Sequence, residues 1–292
     1  MPGLSDSSAE SLLNWESGQT AMPALVNRFL ALFTVAPSDA GSGGTEVSGG
    51  SYARVQVAGP ATTNNTTASG NATLHFASTP AWIVPGMTIT DVTAPSVIPA
   101  GTTVLSVTGT TVVMSANASG GGVGNGDSIQ FSAWPAASAS SGAEPATSPA
   151  SVTNGAVVTF PAATGSWGTV VAFGVYDALT SGNYISGDYL GNYSWLPFTC
   201  TNASPGVFTS PANGYSNGDP VVVTQKYGGT LPATGGSFAG ALTVAGVSGD
   251  NFNVGVNTTG TGDGMVRKIT QQSVPSGVTA SFAASSLTLT AA

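Results

Sequence analysis

The sequence predicts an all-β fold, and three observations predict it. Valine, threonine and the aromatics recur in short alternating runs, as in TLHF (73–76), TTVVM (110–114) and AVVTF (156–160). The runs are closed by Gly, Asn-Gly or Pro, with 40 Gly and 18 Pro to do it. Charged residues make up only 6% of the chain while apolar ones reach 41%. A disordered chain of similar Gly and Ser content is usually poorer in valine and aromatics and richer in charge.

Taken in order, residues 8–17 read as one short helix, with Ser7 or Ser8 as its cap, Glu10 in the first turn and Leu12, Leu13 and Trp15 as its apolar side. Gly18 stops it. Residues 24–35 read as a buried strand on Leu25, Phe29, Leu30, Leu32 and Phe33, ended by Pro37 and the Gly41–Gly44 run. Residues 52–57 alternate and form the next strand, with Glu46 and Arg54 as the expected local charge pair. Residues 61–70 and 134–150 are polar and read as linkers around a small β module, with strands near 72–76, 86–90, 102–107, 111–114 and 128–131. Gly109 is placed to let a tight hairpin turn at 108–110.

Strands are expected again at 157–160, at 167–176 and from 184 toward Trp195. Seven aromatics, Trp167, Phe173, Tyr176, Tyr184, Tyr189, Tyr193 and Trp195, fall in that region. They fill the main core in the simplest reading, with a subunit contact or a sugar-stacking platform as the functional alternatives. After Pro197 come strands at 207–208, 221–223, 242–247, 251–256 and 265–269. The turn Asn217-Gly218-Asp219 precedes its strand as Gly124-Asn125-Gly126-Asp127 precedes residues 128–131, which suggests two modules built on similar local rules. Residues 278–289 fit a terminal hairpin or a strand that closes a sheet.

Composition excludes several functions. Five Lys and Arg against thirteen Asp and Glu give a net charge of -8, spread thinly. A nucleic-acid groove binder needs clustered cations, and an anionic membrane repels such a surface. No basic stretch followed by an apolar one opens the chain, so no secretory leader is expected, and no run is long enough for a membrane helix. The lone Cys200 and lone His75 support neither a disulfide, a metal cluster nor a Cys–His pair. The Gly41–Gly44 and Gly120–Gly126 runs lack the Lys-Ser/Thr of a phosphate loop. Asp177, Asp188, Asp219, Asp250 and Asp263 sit beside Gly or Asn, where Asx turns place aspartate. No catalytic, cofactor-binding or metal residue is assigned, no cofactor is expected, and the chain is not read as an enzyme.

Three stretches carry a resemblance. ALFTVAPSDAGSGGTEVSGGSYARV (31–55), VTNGAVVTFPAATGSWGTVVAFGVYDALTSGNYI (152–185) and SGVTASFAASSLTLT (276–290) resemble tailed-bacteriophage virion structural proteins often labelled tail fibre or minor structural proteins. The resemblance implies one β-sandwich-like parent domain made of residues 1–58, 152–197 and 272–292. Two small phage-type β modules, 59–151 and 198–271, would interrupt it. It further implies a virion structural protein on the particle exterior, assembled in the host cytoplasm. The first expectation is a capsid decoration or cement protein. The alternative is a tail fibre, spike or baseplate component that contributes to host-surface or glycan binding. The expected partners are the major capsid protein or other virion proteins and further copies of the chain, a homo-oligomer with a trimer as one arrangement, without nucleic acid or membrane.

Overall fold

The structure, a computed structural model, describes residues 5–21, 26–136, 151–191, 193–226 and 228–290. Among the described residues its regular structure is almost wholly strand, with one helix. That helix, α1 (Asp6–Glu16), starts two residues before the expected position, because Ser5 is the cap: its Oγ accepts from Ser8 N at 3.1 Å. Gly18, at φ +76°, follows its end.

Strand β1 (Arg28–Val35) begins later than the sequence suggested, and the expected Leu25 lies outside the described residues. Strand β2 (Thr45–Glu46) pairs with it, and β3 (Val55–Thr62) flanks it on the same sheet. Residues 49–52 turn instead of extending, Tyr52 N donating to Gly49 O at 2.9 Å, so β3 runs later than the expected 52–57.

The next stretch holds β4 (Thr73–His75), β5 (Thr88–Asp91), β6 (Val104–Val107), β7 (Thr111–Met114) and β8 (Ser128–Ser132). Strands β6 and β7 form the expected hairpin about 108–110, and with β4 they make a three-stranded sheet. Strand β8 instead pairs over its whole length with the second part of β3, from Ala58↔Ser132 to Thr62↔Ser128, and β5 pairs with β8. Residues 59–133 are therefore not self-contained. Their strands extend the sheet of β1, and Leu74, Val112, Met114, Ile129 and Phe131 share one core with Leu30, Leu32, Phe160 and Trp167. The polar stretch after Ala61 looked like a linker, yet Thr63 and Thr67 are buried. Each hydroxyl donates to a main-chain carbonyl, Thr63 to Gly124 at 2.7 Å and Thr67 to Thr73 at 2.6 Å, so their polarity is satisfied inside. Most of the other expected linker, 134–150, falls outside the described residues.

Strands β9 (Ser151–Thr153), β10 (Val158–Ala162), β11 (Gly168–Val170), β12 (Ala172–Tyr176) and β13 (Tyr184–Tyr189) follow. The long strand expected at 167–176 breaks at Val171, because its two halves serve different sheets. β11 pairs with a later strand, whereas β12 pairs with β1 and β13. The main sheet thus has the order β13-β12-β1-β3-β8-β5, with β2 beside β1.

Seven strands then form a second sheet: β14 (Leu196–Cys200), β15 (Phe208–Thr209), β16 (Pro220–Thr224), β17 (Leu242–Thr243), β18 (Ala245–Ser248), β19 (Asn251–Asn253) and β20 (Gly262–Lys268). Phe198, Phe208, Tyr215, Val221, Phe252 and Val266 give it a core of its own. Asp219 and Asp127 use one local device. Each accepts the main-chain N–H three residues back, Ser216 at 2.9 Å and Gly124 at 2.5 Å, after a glycine near φ +90°.

The chain closes with β21 (Gln272–Val274), β22 (Thr279–Phe282) and β23 (Thr288–Thr290), which pair with β11, β10 and β9 in turn. No terminal hairpin forms, since β22 and β23 pair with other strands and not with each other. Asn154 explains the loop between them. Completely buried, it donates from Nδ2 to Ala283 O (2.8 Å) and Ala156 O (2.7 Å), and its Oδ1 accepts from Leu287 N (2.8 Å).

Two substitutions read this architecture. Asn154→Ala removes the partner of the Leu287 N–H and of the Ala156 carbonyl and one of the donors to Ala283 O, so it is expected to cost about 2–4 kcal/mol, checked by the shift of the urea unfolding midpoint. Trp167 is 4% exposed, donates from Nε1 to Gly50 O at 3.0 Å and meets Tyr52 edge-on at 5.3 Å. Trp167→Ala is expected to cost about 3–5 kcal/mol, and a loss under about 1 kcal/mol in calorimetry would remove it from the core.

Candidate interaction surfaces

The residues with chemical potential are spent on structure. His75 sits half-buried in β4. Cys200 is buried, burial pushes its thiol up, and its Sγ lies 3.5 Å from Thr201 O, so it is not a poised thiolate. Asp177 accepts from Asn183 N (2.7 Å) and Nδ2 (2.8 Å), and Asp250 from Ala212 N at 3.0 Å. Asp263 accepts from Thr230 N at 3.0 Å and pairs with Lys226. Among the described residues no three His, Cys, Asp or Glu side chains group as metal ligands.

The expected pair of Glu46 and Arg54 forms, and it does more than pair. Arg54 Nε and Nη2 bond both carboxylate oxygens at 2.9 and 2.7 Å. Its Nη1 donates to Ala178 O (3.1 Å) and Ser181 O (2.6 Å), and the guanidinium lies 3.5 Å from the Tyr176 ring centre. Tyr52 completes the network, its hydroxyl donating to Glu46 at 3.0 Å while accepting from Leu32 N at 2.9 Å. Burial pushes that hydroxyl well above the usual tyrosine range. The network ties the loop after β12 to the centre of the main sheet.

Of the seven clustered aromatics, Trp167, Phe173, Tyr176 and Tyr184 are buried. Tyr189 and Trp195 are half-buried and meet at 6.4 Å, and Tyr193 is exposed. The half-buried pair marks the junction of the two sheets. There Val222 of β16 and Ile269, just after β20, pack with Ala31, Phe33, Val171 and Tyr184 of the first body. Arg267, on β20, is almost wholly buried and donates to Asp188 Oδ1 at 2.6 Å and to Gly191 O at 2.8 Å. Burial pushes Asp188 up, and the bonds from Arg267 and from Tyr189 N oppose that rise. Nothing in the sequence marked this pair, whose members lie 79 positions apart. Beside it opens a cleft of about 560 Å³ lined by Tyr189, Trp195, Phe238, Thr224, Pro37 and Asp39.

The other exposed feature is α1. Leu13 is 63% exposed and Trp15 46%, and no residue of the helix is buried. The apolar side read from the sequence exists, but it does not face the core.

Residues 3–136 and 129–192 match the family model described as podophage GP4 fiber I protein gp80. The match runs through β3, β5 and β8 and stops just before β14, where the second sheet begins. No curated protein matches, and no solved structure matches. The chain belongs to the podophage GP4 fiber I protein gp80 family and is a bacteriophage virion structural protein.

Proposed function

We propose that this protein is a subunit of a phage fibre and has no catalytic role. One observation carries the reading: the family match covers the first body nearly from its start, and that family is described as a fibre protein. It favours a fibre over the capsid decoration or cement protein first expected. The use of the carboxylates in turns and ion pairs supports a structural role. In this reading residues up to 192, with the closing strands β21–β23, form the body that anchors the subunit. The sheet of β14–β20 is an added module riding on it, and the subunit assembles with further copies on the particle exterior.

A fibre transmits force, so a module on it gains from a stiff joint. Arg267 and Asp188 supply that, a desolvated ion pair held between packed apolar groups, with side chains 6% and 17% exposed. Arg267→Met leaves Asp188 facing the joint without its cation. It is expected to cost about 3–5 kcal/mol, and adding Asp188→Asn is expected to restore part of it. Urea unfolding reads both; equal losses in the single and double variants would mean that the pair does not hold the joint.

The fibre reading is tested on particles. Gold-labelled antibody against this chain is expected on the tail or its fibres, and quantitative mass spectrometry is expected to count a few to a few dozen copies per particle. Hundreds of copies with label over the capsid faces would return the protein to decoration.

A further inference from the structure

Helix α1 is the element that its own chain supports least. Its eleven residues fall short of the roughly 12–15 at which an isolated helix becomes marginal in water. Three serines and Asn14 weaken it further, and Ser11 Oγ donates back to Ser7 O at 2.8 Å. The main chain ties only its first turn to the body, Ser5 N to Ile185 O at 2.8 Å and Asp6 N to Asp39 O at 3.0 Å. Trp15, Leu12, Ala9 and Leu13 fall within about 160° of the helix surface, an arc that also holds Ser8 near its Trp15 edge and Glu16 near its middle, at the C-terminal end. Leu12 and Ala9 are half-buried, and the two large exposed side chains stand at the edges of the arc.

Charge says what kind of surface would cover the arc. Asp6 and Glu10 lie beyond its Leu13 edge, and Glu16 sits in the last turn, where no basic residue occurs. An acidic side chain at a helix C-terminus opposes the macrodipole, unless a cation from elsewhere meets it. This chain has few cations to offer. Four of its five basic side chains are already paired: Arg54 with Glu46, Lys226 with Asp263, Arg267 with Asp188 and Lys268 with Asp219. Two copies meeting through this helix would set like charges against each other, and an anionic membrane would repel it.

We propose that α1 is a docking helix for a different protein of the particle, whose groove has an apolar floor for Leu12, Leu13 and Trp15, a basic rim for Asp6 and Glu10, and a cation at its far end for Glu16. The helix would be completed by that groove, as amphipathic helices are by their receptors. The inference rests on the chain being a virion protein, not on its being a fibre rather than a decoration protein.

The test uses phage carrying variant chains. Leu13→Ser with Trp15→Ser changes only exposed side chains, so the melting temperature of the purified protein is expected to stay within a few degrees. Its copies per particle, counted by mass spectrometry, are expected to fall at least tenfold. Asp6→Lys with Glu10→Lys, a second variant that leaves the apolar arc intact, is expected to lower them several-fold. Light scattering is expected to show one oligomeric state for wild type and both variants. Wild-type copy numbers in the first variant overturn the docking role, and wild-type numbers in the second overturn the basic rim. A lower oligomeric state in the first variant would make a second copy the occupant. Co-sedimentation of the wild type with phosphatidylcholine–phosphatidylglycerol vesicles would make it a membrane. Each of those two results also overturns the proposal. Where gold label finds the wild type, on tail or capsid, tests the fibre reading separately.

Discussion

The fold depends on one strand having no solvent side. Along β1, Leu30 and Leu32 enter the core shared with the first stretch of strands, while Ala31 and Phe33 enter the layer under the second sheet. A strand covered on one face alternates apolar and polar residues, but one covered on both reads as a continuous apolar run, which is what FLALF is. The consequence reaches its neighbours. Gly174 lies opposite Ala31 on β12, and a Cβ there would stand 2.8 Å from the Phe33 ring and 2.9 Å from the Tyr184 ring. Two rings occupy the place of one side chain, so the glycine is a packing requirement. Between Leu30, where pairing of β1 with β3 ends, and Phe33, where pairing with β2 begins, the Tyr52 hydroxyl takes the N–H of Leu32.

The closing strands use a different principle. Pairing β11 with β21, β10 with β22 and β9 with β23 nests three ladders, so the return path of the chain retraces its outward path. Everything between β11 and β21, including the whole second sheet, is then one excursion from a closed neck. Such a neck can carry a large insertion at small entropic cost, because each doubling of loop length adds only about 0.6 kcal/mol. Asn154 secures the neck between its outermost and middle ladders by making three main-chain bonds at once from a fully buried position.

How much of this was legible follows from the range of each interaction. Local alternation located most strands, and the hairpin about 108–110 and the two Gly-Asp turns were readable because a turn is decided within four residues, although Gly109 does not take the positive φ expected of it. The pair Glu46 and Arg54 was readable for the same reason, eight positions apart. Partners far along the chain were not. Strand β8 beside β3, β22 beside β10 and Arg267 beside Asp188 are set by which apolar faces must be covered, and alternation in one strand says nothing about its neighbour. Threonine misled in a specific way. Thr63 and Thr67 look like linker polarity, yet a hydroxyl that can reach a carbonyl is tolerated inside. The helix shows the opposite limit, since its pattern gives an apolar side and not what covers it.

The scarcity of charge ties these features to the life of the protein in a particle. With four of five basic side chains paired inside the chain, a contact with another virion component would have few cations of this chain to draw on. Its cationic needs were met in folding, at Glu46, Asp188, Asp219 and Asp263. What it has left to offer a partner is main-chain edges, half-exposed rings such as Trp195, and apolar side chains beside carboxylates on α1. Contacts of that kind lose little in salt unless the partner brings the positive charge. The complementary cations would then belong to a neighbouring protein, and attachment would depend on that neighbour more than on this chain meeting itself.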